Sequence, residues 1–129
     1  MDGASIQLVL VLLLALQAKH FLCDGPLQSR AMIAAKGNYG AALGMFHAGL
    51  HGLGSLLVLW GFGLGIGWAT GLAAAEALVH YHLDHGKERL VRAMGWTPRQ
   101  TQFWWALGID QALHQASYLA IAAAFAALA

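Results

Sequence analysis

Four pairs of imidazole and carboxylate side chains carry the chemistry this chain could do. They are His20 with Asp24, His47 with His51, His80 with Asp84, and Asp110 with His114. Each pair is spaced i, i+4, which in a helix puts both side chains on one face, about one turn apart. Imidazole and carboxylate donors together suit zinc, iron or manganese. Every pair also lies in an apolar stretch, where ionisable groups are costly unless they are paired or bound to a metal. Four helices, each presenting one pair, would therefore meet at a shared polar centre.

The composition says what those helices must be. Of 129 residues, 59% are hydrophobic and 10% charged, against about 25% charged in an ordinary soluble domain. Too few charges remain to build a normal water-facing surface, so a membrane protein is expected. A spanning helix needs about 20 mostly apolar residues, and the chain offers four such segments, at about 4–24, 41–60, 65–84 and 98–127. Gly25-Pro26 stops the first. Thr97, Pro98 and Gln100 have the residue types of an N-cap, a first helical position and a capping box for the fourth. A cleaved signal peptide is the weaker reading of the first segment, because Met1–Ser5 carries no positive charge and no A-x-A site follows.

Basic residues set the orientation. Arg30 and Lys36 lie between the first two segments, Lys87, Arg89, Arg92 and Arg99 between the last two, and Lys19 near the same end. The expected protein is all-α: a four-helix transmembrane bundle of up-down topology, forming one membrane domain. Loops 25–40 and 85–97 would be cytoplasmic and both termini non-cytoplasmic. Trp96, Trp104 and Trp105 would mark the inner interface, and Trp60 and Trp68 the outer one. Gly63, Gly67 and Gly71 recur every four residues and suggest a stripe for close helix approach.

That topology orders the pairs by depth. Asp24, His47, Asp84 and Asp110 fall nearer the cytoplasm, and His20, His51, His80 and His114 about 6 Å deeper. Glu76 lies one turn beyond His80 on the same face, while Gln28 and Gln111 flank the aspartates as candidate supporting donors. The layers could hold one or two divalent ions, or form a metal-free His–Asp network. Haem is disfavoured, because carboxylates one turn from each histidine do not suit its mostly apolar pocket. His82 points away from His80, and His85 is expected at a solvated helix end. The single cysteine, Cys23, excludes an intrachain disulfide and reads as a small buried hydrophobe, thiolate ligation being the alternative.

The strings His20-Phe-Leu-Cys-Asp24-Gly-Pro-Leu-Gln28, His47-Ala-Gly-Leu-His51, His80-Tyr-His-Leu-Asp84 and Asp110-Gln-Ala-Leu-His114 resemble the four signature patches of the bacterial domain-of-unknown-function family 3307. Lys36-Gly-Asn-Tyr-Gly40 and Phe103-Trp-Trp-Ala-Leu-Gly108 extend the similarity over nearly the whole chain. The resemblance implies a small multi-pass protein of the bacterial inner membrane. It supports the choice of polar residues and supplies no reaction; Glu76, Cys23, His82 and His85 rest on spacing alone.

Three functions remain open on the residues. One is a metal-dependent hydrolase at the cytoplasmic face, with Asp24 and Asp110 as candidate general bases. Lys87, Arg89 or Arg92 would then orient an anionic lipid or lipid-linked substrate. The second is a proton or metal-ion transport element, against which stands an outer half sealed by Leu56, Leu57, Val58, Ile121 and 122–124. The third is a small accessory subunit of a larger membrane complex, or a homo-oligomer, with a purely structural polar core. Partners are the lipid bilayer and such proteins; no nucleic-acid or nucleotide signature is present.

Overall fold

The computed structural model describes residues 3–129; Met1 and Asp2, part of the N-terminal stretch without positive charge, lie outside them. Five helices follow one another: α1 (Gly3–Asp24), α2 (Arg30–Ala35), α3 (Ala42–Gly61), α4 (Ile66–Met94) and α5 (Thr101–Leu128). No strand occurs among the described residues. The fold is all-α as expected, but with five helices in place of four.

The extra helix and the shifted ends have local causes. Ser29 caps α2 by accepting the Met32 N–H at 3.2 Å, turning part of the first loop into a short helix. The third segment does not stop at Asp84. It continues through a run of good helix formers, reinforced by an i, i+4 contact of 3.1 Å between Glu88 and Arg92, and ends where Gly95 turns left-handed at φ 65°. His85 is therefore inside a helix rather than at its end, with its Nδ1–H donated to the Lys36 carbonyl at 3.0 Å. At α5 the expected back-bond is present, Gln100 Oε1 accepting the Thr97 N–H at 2.7 Å. It closes a separate turn, and the helix starts at Thr101.

The four long helices form a ring of neighbours. α3 packs on α1 and α4, α5 packs on α1 and α4, and α2 lies against α3. α3 and α4 approach closely at Gly52, where an added Cβ would sit 3.1 Å from both the Ala73 carbonyl oxygen and the Ala77 methyl. The Gly67 and Gly71 stripe faces open space instead, and Gly63 belongs to the α3–α4 turn with φ 92°. α3 is unbroken through its glycines, so His51 keeps its register. Leu12, Leu16, Leu59, Leu64, Tyr118, Ile121 and Phe125 fill the end of the ring near that turn. Leu57, expected in this seal, faces outward.

α1 over Ser5–Asp24 and α3 over Ala42–Gly61 are each long and apolar enough to cross a membrane. α4 and α5 are diluted by the polar residues they bring to the centre, among them Glu76, His80, Asp84, Asp110, Gln111 and His114.

Candidate metal centre

Three donor atoms form a compact triangle at the heart of the ring. His47 Nε2 lies 3.2 Å from His80 Nε2 and 3.5 Å from Asp84 Oδ2, and the last two are 3.2 Å apart. Asp24 Oδ1 extends it, 3.1 Å from His47 Nε2 and 3.0 Å from His51 Nε2. Four ligands at the usual bond lengths of about 2.0–2.1 Å around a tetrahedral ion stand about 3.3 Å from one another, so these separations have the right scale. Donor atoms of Asp24, His47, His51 and His80 all fall within 4.8 Å of one another, as do those of His80, Asp84 and His114. His80 belongs to both groups.

Hydrogen bonding shows why these nitrogens are free to ligate. The Nδ1–H of His114 donates to the Asp110 carbonyl at 2.7 Å. In the neutral ring that fixes a lone pair on Nε2, which is buried without a hydrogen-bond partner and lies 4.0 Å from Asp84 Oδ1. Two acceptors facing each other at that distance need a proton or a cation between them. Nδ1 of His47 and of His80 also has no partner, so the polar contacts of both rings run through Nε2 into the centre.

The local charge points the same way. Asp24, Glu76, Asp84 and Asp110 face two buried ammonium groups, Lys19 and Lys36. With neutral imidazoles and ionised carboxylates, two negative charges remain uncompensated, which one divalent cation would balance.

The structure thus brings together Asp24, His47, His51, His80, Asp84 and His114. His20 and Asp110 stand outside both donor groups. His20 is occupied at both nitrogens: Nδ1 lies 2.9 Å from Tyr118 Oη, and Nε2 is 3.1 Å from both Gln111 Oε1 and Asp24 Oδ2. It holds the Asp24 carboxylate in place. Asp110 accepts from the Gln111 amide at 3.1 Å and lines a cleft of about 470 Å³ with Asp24, Gln28, Lys36, Asp84 and Lys87. Gln28 donates to the Asp24 backbone carbonyl at 2.7 Å. Cys23 is buried outside both donor groups, and His82 is exposed, accepting from the Tyr39 hydroxyl at 3.0 Å.

Two lysines and a tyrosine escaped the sequence reading. Lys36 looks like a loop charge, yet it is buried with Nζ 2.8 Å from Asp84 Oδ2. His85 holds its carbonyl, and Arg92 donates to the Ala34 carbonyl at 2.7 Å, so α4 straps the α2 segment over the centre. Lys19 lies below it. Its three protons serve Glu76 Oε1 at 2.5 Å, Tyr118 Oη at 3.0 Å and the His51 carbonyl at 3.4 Å. A lone ammonium one residue before His20 in an apolar run, with a lone carboxylate at similar depth in another segment, was the readable signal for that pair.

Gly54 lets the Lys19 stem pass, since a Cβ there would meet Lys19 Cγ at 2.6 Å. Gly49, on the same helix, faces open space. Replacing an interior helical glycine with alanine ordinarily gains up to about 1 kcal/mol. Gly49→Ala should therefore raise the thermal midpoint of the purified protein or leave it unchanged, whereas Gly54→Ala should lower it. Equal midpoints would mean that Lys19 does not hold this path.

The class defined by these features is an all-α protein of apolar helices around a buried His/Asp cluster able to hold a metal ion. A family model described as "Protein of unknown function (DUF3307)" matches residues 8–129. The chain belongs to that family. No curated protein and no solved structure matches it.

Proposed function

We propose that this chain is a multi-pass protein of the bacterial inner membrane with a divalent-metal centre that serves hydrolysis at the cytoplasmic face. α1, α3, α4 and α5 all span in this reading, with both termini outside the cytoplasm. Its support is an inside-out distribution: buried histidines and carboxylates within, and large apolar side chains without. Leu14 on α1, Leu57 on α3, Leu78 on α4 and Ile109 on α5 are 57–68% exposed. Lipid would cover these positions at no cost, whereas water would not.

The observation that carries the metal reading is the His47–His80–Asp84 triangle, with the orphaned Nε2 of His114 beside it. Two histidines and one carboxylate on one face leave other positions open for substrate. A divalent ion held by His47, His80 and Asp84 would supply Lewis-acid activation of water near neutral pH. Asp110 is the better placed general base, because it lines the cleft while contributing to neither donor group. Asp24 is held by His20, His47 and His51 and serves as a ligand. Lys36 and Lys87 at the cleft would orient an anionic substrate.

Transport of protons or metal ions is the second reading. The hydrogen-bonded series Glu76–Lys19–Tyr118–His20 continues the polar region below the centre and favours it. The apolar plug of Leu12, Leu16, Leu59 and Phe125 stands against it.

Elemental analysis of detergent-purified protein tests the metal. One or two divalent ions per chain are expected, lost in His51→Ala and kept in Asp110→Asn. A folded protein that never holds stoichiometric metal ends the hydrolase reading.

A further inference from the structure

Between α4 and α5 runs an apolar groove of about 260 Å³, walled by Leu83, Leu90, Ile109 and Leu113 and floored by Gly86 and Ala106. It opens on the outer flank of the molecule, where Leu90, Ile109 and Leu113 are exposed. Lys87 and Asp110 line it too, and the same two residues line the polar cleft over the metal centre. The apolar groove and the polar cleft thus adjoin at one ammonium and one carboxylate.

Gly86 has no role in packing that would account for it. It lies in the interior of α4, where glycine costs about 1 kcal/mol against alanine. A Cβ there would meet nothing within 4 Å. What its bare backbone does is keep the groove floor clear.

Resting on the metal-centre reading, we infer that the substrate is an anionic membrane lipid of the phosphate-monoester type, drawn sideways from the bilayer between α4 and α5. Its chain lies along Leu83, Leu90, Ile109 and Leu113, and its phosphate reaches past Lys87 into the cleft. The juxtaposition selects an amphiphile with an anionic head, and a phosphate monoester is the head that metal-assisted hydrolysis would act on. An apolar groove alone would take any chain, and a polar cleft alone would take any soluble anion; a groove ending at Lys87 beside Lys36 and a cation site fits a molecule that is both. Lys36 already faces Asp84, and Lys87 lies 3.3 Å from its neighbour Glu88, so the head would be held by open positions on the metal and by N–H donors of these two lysines rather than by a surplus of positive charge.

The test uses the full chain in phosphatidylcholine nanodiscs doped with phosphatidic acid carrying a photoreactive diazirine on its acyl chain. Labelled peptides are mapped after irradiation, and diazirine-phosphatidylcholine is the control lipid. Groove residues should be labelled by the phosphatidic acid about fivefold or more above the control. Gly86→Phe, which fills the groove without a backbone clash, should abolish that preference, and Gly71→Phe, on the same helix with open space around it, should not. Equal labelling by both lipids, or a preference that survives Gly86→Phe, overturns the inference. Binding of millimolar inorganic phosphate by protein that shows no lipid preference does so too, by assigning the cleft to the free ion. The two readings fail separately. Protein that binds metal without lipid preference loses only the groove, whereas metal-free protein that keeps the preference loses the hydrolase centre.

Discussion

His80→Ala is expected to empty the metal centre. His80 is the one residue shared by both donor groups, and its Nε2 forms two sides of the triangle with His47 and Asp84. Without it the first group falls from four donors to Asp24, His47 and His51, the second to Asp84 and His114, and Asp84 is left to Lys36 at 2.8 Å. Removing a supporting partner of a metal ligand typically weakens binding 10–100-fold, so losing this ligand should cost at least about 100-fold in affinity. Competition titration with a chromogenic chelator measures it. His82→Ala is the matched control, two residues away on the same helix but exposed and bonded to Tyr39; it should leave affinity unchanged. If His80→Ala holds metal as tightly as the parent chain, the convergent nitrogens are only a hydrogen-bonded core.

Much of this centre was legible from spacing, because i, i+4 periodicity within an apolar run specifies a helix face without any tertiary knowledge. That is why Asp24, His47, His51, His80, Asp84 and His114 could be named and are found together. The division between ligands and supports was not legible. His20 has the same spacing to Asp24 that His80 has to Asp84, yet Tyr118 and Gln111 of α5 occupy its ring. Tyr118 itself extends the Asp110–His114 stripe by one more turn, so periodicity could have found it. Lys36 could not be found this way, since its burial depends on the strap made by His85 and Arg92. The same contacts explain α2: six residues are too few for a stable helix alone, and it persists by packing on α3 and by the bond of Arg92 to Ala34. Most helix ends fall within a residue of the expected ones; the end of the third segment differs most, α4 running on to Met94. Gly86 did not stop α4, because a single glycine costs less than the neighbouring helix formers and the Glu88–Arg92 pair return.

The largest stability effect is expected from Lys19→Ala. Lys19 and Glu76 are both buried and lie 2.5 Å apart, and Glu76 has no other cation within reach among the described residues. Removing one partner of such a pair strands the other charge and costs about 3–5 kcal/mol. For a chain of this size that corresponds to a midpoint lowered by roughly 10–20 °C. Tyr118 and the His51 carbonyl lose a donor in the same step, so His20 and His51 should loosen and metal affinity should fall by about 10-fold or more. The double variant Lys19→Met/Glu76→Leu separates these effects. Replacing a buried ion pair with apolar residues of similar volume is often neutral. The double variant should therefore recover most of the lost stability while metal affinity stays reduced, because the apolar pair restores packing but not the hydrogen bonds to Tyr118 and His51. A double variant as unstable as the single one would show that the ammonium stabilises the helices through Tyr118 and His51 rather than through Glu76. Full recovery of metal affinity as well would show that the network beneath the centre has no part in shaping it.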